Sequence, residues 1–348
     1  MTQFDNSSST GRILYLDIAK IAVAFLVVFA HLYSYSSIER VYIYSFHMPL
    51  FFMISGMLHK YRGYIQIKKY VRTILIPALF FIVLYDIIFI TLFHLGSDIA
   101  WSGVDRGTNI FHSFWNVLLD GRKESITKIS GNGVCWFLLA LFWCKVFTDC
   151  IKKKMYLVLF LTINIVSALA LYLQDSIFHM IQCFIALPFY YIGFLYKDNI
   201  NRFVITNRPP ITFSIGLILL SLNVFLTTIN GRVSVLGHTF GNLHIPFNVI
   251  VFYLNAFIGS IGVFCLAAVV KVKGSYPQRL ANSLISIVGL QQFFITPFAY
   301  YVGMDQAFSI SLFASIIIVA LCYIGHSIIM HLCPQVLGKK RQGFSPCP

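Results

Sequence analysis

Ten apolar runs of bilayer length, each ended by polar residues, leave this chain very few ways to fold. They cover residues 17–38, 44–59, 73–94, 134–150, 155–174, 178–196, 211–229, 244–270, 282–302 and 306–332. A helix needs about 20 predominantly apolar residues to cross a bilayer core about 30 Å thick. Inside hydrocarbon every backbone polar group must find its partner within the protein, so such runs are read as helices. The sequence therefore predicts an all-α, polytopic membrane helix bundle of about ten transmembrane helices. Of the 348 residues, 58% are hydrophobic and 11% charged, which is too little polar surface to cover a soluble domain of that size.

A net charge of +14 would suggest a nucleic-acid partner for a soluble protein, but here it divides across the membrane. Twenty of the 26 Lys and Arg residues fall in clusters on one side of the ten spans. The other six are Arg40, Arg106, Arg122, Lys123, Lys128 and Arg232. By the positive-inside rule both termini are expected in the cytoplasm, and nucleic acid is not an expected partner. Residues 1–11 read as a disordered cytoplasmic leader, 12–338 as a single integral-membrane domain, and 339–348 as a short basic cytoplasmic tail. The first apolar run is expected to be retained rather than cleaved as a signal, because Asp17, Lys20 and His31 sit badly in an h-region. The eight cysteines contain no CxxC and lie mostly in or beside spans, so neither a metal site nor disulfides are expected.

Within the first run, titratable residues follow a helical period. At 100° per residue, Lys20 and His31 are separated by three full turns plus about 20°, and by a rise of about 16 Å. Asp17, three residues before Lys20, falls within about 40° of the same direction. The three form one polar stripe, which in a membrane should face the bundle interior or a wet cavity, or else mark the two interfaces. Further on, His47 and Pro49 open the second span, and Ser55 with Gly56 near its inner end permits close backbone approach. Lys69 and Arg72 belong to the densest basic cluster, which serves either as a positive-inside anchor or as a cationic mouth for an anionic ligand. Asp86 is a second intramembrane acid. The loop over 94–133 is the longest between spans and holds an interfacial-helix candidate at 109–119; Trp136 follows it at expected headgroup depth. A transporter or glycan flippase would use similar intramembrane charges, but would favour an internal repeat, and none is found.

The segments RILYLDIAKIAVAFLVVFAH, FHMPLFFMISGML, KKYVRTILIP and WFLLALF together resemble the acyltransferase 3 family of bacterial integral-membrane O-acyltransferases, in particular its fucose-4-O-acetylase-like branch. The resemblance is most specific over 12–77. It puts Asp17, Lys20 and His31 on the family's first-helix Asp, basic residue and His, with Lys where most members carry Arg. Lys69 and Arg72 fall on the basic pair before the third helix, and Phe51, Phe52, Ser55 and Gly56 on the second-helix motif. Cys135 and the pair Gln291 and Gln292 stand where the family often has His. The resemblance implies acetyl transfer from cytoplasmic acetyl-CoA to a sugar hydroxyl of a lipid-linked or surface glycan, in a bacterial inner membrane and without a metal. It implies His31 as general base with Asp17 in support. Lys20, Lys69, Arg72, Ser55 and Gly56 would lie toward the donor, and His47, Trp136 and Asp86 toward the acceptor or channel.

Overall fold

A computed structural model of the chain describes residues 13–34, 37–62, 64–94, 132–150, 179–231, 233, 235 and 247–339. The expected leader, the 94–133 loop beyond His94 up to Asn132, the span at 155–174 and nearly all of the basic tail lie outside the described residues. Every regular element among those described is a helix: α1 (Leu14–His31), α2 (Ile38–Tyr44), α3 (His47–Met57), α4 (Ile67–Tyr70), α5 (Ile76–His94), α6 (Trp136–Cys150), α7 (Met180–Thr206), α8 (Pro209–Asn230), α9 (Phe247–Val269), α10 (Tyr276–Asn282), α11 (Leu284–Tyr301) and α12 (Phe308–Leu332). A π-helical turn, Val71–Leu75, joins α4 to α5, and a 3-10 turn, Pro334–Leu337, follows α12. Eight segments among the described residues are long and apolar enough to cross a membrane. The protein is a multi-pass helical membrane protein.

Helix α1 sits at the centre, packed on α3, α9, α10, α11 and α12. The outer helices α8 and α12 are built inside out relative to a soluble helix. The residues α8 buries are Thr212, Gly216, Asn223, Thr227 and Asn230, and those of α12 are Ser311, Ser315, Ile318 and Cys322. Steps of three, four and seven put each set on one face. Small or polar residues there permit close packing where no hydrophobic gain separates protein from lipid. The apolar residues Ile218, Phe225 and Phe313 point outward. Across the α8 and α9 contact, Asn223 donates to Asn255 Oδ1 (2.7 Å) and Asn255 donates to Thr227 Oγ1 (2.8 Å), while Ser45 at the head of α3 bonds Asn223 (3.1 Å).

The expected span 44–59 differs from what forms. The chain turns at Ser45 and Phe46, and the helix that follows runs only from His47 to Met57. Pro49 is tolerated because it lies in the first turn, where an N–H has no helical acceptor to lose. Eleven residues rise about 16 Å, roughly half a bilayer core. Every residue of α3 except Ser55 is buried. Its tightest neighbour is α7. A Cβ placed on Gly56 would come within 1.9 Å of the Tyr190 carbonyl oxygen, and one on Gly193 within 2.1 Å of the Met53 carbonyl oxygen. Backbone meets backbone in both directions, so no rotamer change can relieve an added methyl. Gly56→Ala is expected to separate the two helices at a cost of at least about 1–3 kcal/mol. A fall in the detergent melting temperature would show it, and an unchanged melting curve would refute this account of the crossing.

The predicted end of the sixth span, residue 196, coincides with a kink: Tyr196 has non-helical angles inside α7. Beyond it α7 continues as an amphipathic arm, with Ile200 and Val204 buried while Lys197 is exposed. Tyr15 at the start of α1 donates to Asn201 on this arm.

Candidate active site

The end of α1 and the corner between α2 and α3 line a small cavity of about 20 Å³, bounded by Val27, His31, Tyr44, His47, Phe51 and Trp136, among others. Three of the residues marked in the sequence, His31, His47 and Trp136, therefore meet in one place. Trp136 is buried at the first turn of α6 beside this cavity, with the Phe52 and His179 rings nearby.

The hydrogen bonds fix the tautomers. His31 Nδ1 lies 2.7 Å from the Val27 carbonyl oxygen, so it carries the proton and donates it. His47 does the same toward the Ile43 carbonyl at 2.8 Å. In each case the acceptor is one turn back in sequence, so the orientation is set by local geometry. Nε2 of His31 is left as a lone pair facing Tyr44, whose hydroxyl is 3.2 Å away. Arg40 donates to that same hydroxyl oxygen at 2.9 Å and to the Tyr33 carbonyl at 2.7 Å. With its oxygen accepting from Arg40, Tyr44 turns its own proton toward His31 Nε2. The arrangement presents a basic nitrogen to the cavity, steadied by a hydroxyl donor.

Sequence reasoning missed Arg40 and Tyr44. Arg40 was assigned to an outer loop as one of six charges on that side. It lies instead on α2, buried to 6% exposure. The signal was present in the spacing: Arg40, Tyr44 and His47 follow one another at four and three residues, although the turn at Ser45 interrupts the helix that would have displayed it.

At the opposite end of α1, Lys20 Nζ lies 3.3 Å from Asp17 Oδ1, with side-chain exposures of 15% and 5%. Asp17 is thus placed to offset Lys20, and it is separated from His31 by fourteen residues of helix, about 21 Å. Lys69 Nζ donates to Gln66 Oε1 at 3.3 Å, and Arg72 is exposed on the π-helical turn. Arg72 thus lies inside that turn, directly after the helix that carries Lys69, and such π-helical insertions are frequent at functional sites. Gly338, at a φ of 71°, lies against the Arg72 carbonyl and braces the turn from behind. Asp86 is buried on α5 but is not among the residues lining the cavity. Gly56 lies at the crossing with α7 and Ser55, half-buried, beside it.

A second polar cluster, unmarked in the sequence, gathers at this same end. Asp149 near the end of α6 accepts from His59 Nε2 (3.1 Å), from the Tyr70 hydroxyl (2.7 Å) and from the Gln66 backbone N–H (3.0 Å). With Nε2 donating, His59 Nδ1 accepts from the Tyr190 hydroxyl at 2.7 Å. His59 follows the end of α3, where burial first and the charges of Lys145 and Lys69 in addition outweigh the pull of Asp149 and lower its pKa to about 4. It is neutral at neutral pH, as the hydrogen bonds require.

The described helices thus form a membrane-spanning bundle with His31, Tyr44 and His47 gathered at an internal cavity. The family described as Acyltransferase domain matches residues 13–326. The chain belongs to that family, acyltransferase 3, and is an acyltransferase. No curated protein and no solved structure matches it.

Proposed function

We propose that this acyltransferase is an O-acetyltransferase of the fucose-4-O-acetylase-like type. It moves acetyl from cytoplasmic acetyl-CoA to a sugar hydroxyl of a lipid-linked or cell-surface polysaccharide, such as O-antigen, capsule or exopolysaccharide, in a bacterial inner membrane. The observation that carries this reading is the lone pair of His31 Nε2, turned to a cavity and held there by the Val27 carbonyl. A sugar hydroxyl is a weak nucleophile at neutral pH and needs a base within hydrogen-bond reach. The acceptor hydroxyl would displace the Tyr44 hydroxyl, now 3.2 Å from Nε2, and Tyr44 would keep its bond to Arg40. His31 Nε2 removes the acceptor proton as its oxygen attacks the thioester carbonyl. When the C–S bond breaks, the imidazolium returns that proton to the departing thiolate, so the enzyme ends as it began. His47, with its Nε2 also unprotonated, and Trp136, an N–H donor, line the same cavity and would orient the acceptor. Lys20, Lys69 and Arg72 would draw the donor's phosphates to the other end of the bundle.

Surface polysaccharide from cells with the intact gene and with a deletion tests the reading. Ester-linked acetyl, measured by mass before and after mild base, should disappear on deletion. Equal acetylation in both strains would exclude the proposed acceptor. Lys69→Ala combined with Arg72→Ala should raise the KM for acetyl-CoA about ten-fold or more, equivalent to about 1.4 kcal/mol, with the acceptor KM unchanged. An unaltered donor dependence would return both residues to topology anchoring.

A further inference from the structure

We propose that Lys145 and Lys69 form a seat for a phosphate group, floored by Tyr70 and Tyr190 and kept open by the pairing of Asp149 with His59. The proposal rests on the reading of the donor as a phosphate-bearing thioester, and adds to it a residue from α6 that neither the first-helix stripe nor the basic pair includes.

The argument begins with an ion pair that does not form. Asp149 stands four residues after Lys145 on α6, a spacing at which opposite charges meet. Both of its oxygens are instead taken by His59, Tyr70 and the Gln66 N–H. Lys145 is left leaning over two aromatic rings, with Nζ 5.6 Å from the Tyr70 centroid and 5.8 Å from that of Tyr190. Its one hydrogen bond among the described residues is a long one, 3.4 Å to the Tyr190 hydroxyl. Lys69 approaches the same group of residues from α4 and donates only to the neutral amide of Gln66. Neither ammonium forms an ion pair among the described residues.

Lys145, half-buried over two rings, and the exposed Lys69 on α4 thus carry no ion pair among the described residues. Rings supply about 0.5–2 kcal/mol to a cation, less than a doubly charged phosphate in direct contact with the half-buried ammonium would supply. His59 contributes position rather than charge: neutral, it bridges Asp149 and Tyr190 and holds the loop from α3 against α6 and α7. The seat lies at the lower end of α3, and the catalytic cavity at its upper end. A donor anchored at one end and reacting at the other would run alongside α3.

The shared chemistry is a phosphate ester, which either the acyl donor or an anionic lipid headgroup could bring. The test uses purified protein in a neutral detergent and the variants Lys145→Gln, Lys145→Arg and, as a control on an exposed cation elsewhere at this end, Lys273→Gln. Inorganic pyrophosphate binding is expected to weaken at least ten-fold in Lys145→Gln, to stay near wild type in Lys145→Arg, and to be unaffected in Lys273→Gln. Melting temperatures confirm that each variant is folded. In turnover, Lys145→Gln should raise the KM for acetyl-CoA while leaving phosphate-free acetyl-pantetheine equally well used. Unchanged pyrophosphate affinity in Lys145→Gln, or an equal loss with both thioesters, overturns the seat. If pyrophosphate binding depends on Lys145 but phosphatidylglycerol displaces it and acetyl-CoA does not, the phosphate seat stands and the donor reading fails.

Discussion

His31→Ala is expected to lower acyl transfer by about 10²–10⁴-fold, the range associated with loss of a positioned general base, without lowering the amount of protein in the membrane. The imidazole makes one hydrogen bond to its own helix and one to Tyr44, so its removal leaves a half-buried hydroxyl and a carbonyl beside an existing cavity rather than an uncompensated charge. His31→Gln sharpens the experiment, because it keeps a polar group of similar reach with no basic nitrogen and should be equally inactive. Donor KM should stay within a few-fold of wild type in both. Wild-type turnover in either variant would remove His31 from the base role. In that event His47 becomes the candidate, since its Nε2 is prepared in the same way by the Ile43 carbonyl.

Asp149→Ala is expected to be the most destabilising single change at the basic end of the bundle. It strips the acceptor from three buried donors at once, on His59, Tyr70 and Gln66. An unsatisfied buried donor costs about 1–3 kcal/mol, so the sum approaches the whole stability of many proteins, which is about 5–15 kcal/mol. Asp149→Asn should be much milder. Its amide oxygen can still accept from Tyr70 and Gln66, and its NH₂ can donate to His59 Nε2 if the ring changes tautomer and the Tyr190 hydroxyl turns to accept. Melting temperatures in detergent should rank wild type first, Asn next and Ala well below; similar values for Asn and Ala would mean that the network is not what holds this region. Acid should act through the same cluster. His59 titrates near 6.5 when unfolded and at about 4 when folded, so between those values the unfolded chain binds a proton that the folded chain refuses. Stability should therefore fall as pH drops from 6.5 toward 4, and His59→Gln should lose that component of the pH dependence.

The bundle was legible because the bilayer imposes a coarse length scale: runs of some twenty apolar residues survive errors of several residues at each end, and α8, α9, α11 and α12 fall within three residues of their predicted bounds. The polar stripe was legible because it lies on one unbroken helix, where a period of 3.6 carries side chains to predictable directions. What could not be read was anything made by the breaks. The break between α1 and α2 that brings Arg40 and Tyr44 back over His31 has no periodic signature, and an Arg in an expected loop looks like any other charge. Asp149 and His59 were hidden for a different reason: they come from helices distant in sequence, and each sits beside lysines whose anchoring role already accounted for its neighbourhood. Arg72 shows a third kind of limit, since the π-helical turn that carries it leaves no mark in composition.

The shortness of α3 bears on the electrical work of turnover. About 16 Å of helix separates its two ends, and only a net charge moved along that distance would make the reaction answer to the membrane potential. An acetyl group carries no net charge, and the proton taken by His31 would be returned within the same cavity. On the proposed chemistry, turnover is electrically silent: acyl flux in sealed vesicles should be the same whether the membrane is polarised or short-circuited by an ionophore.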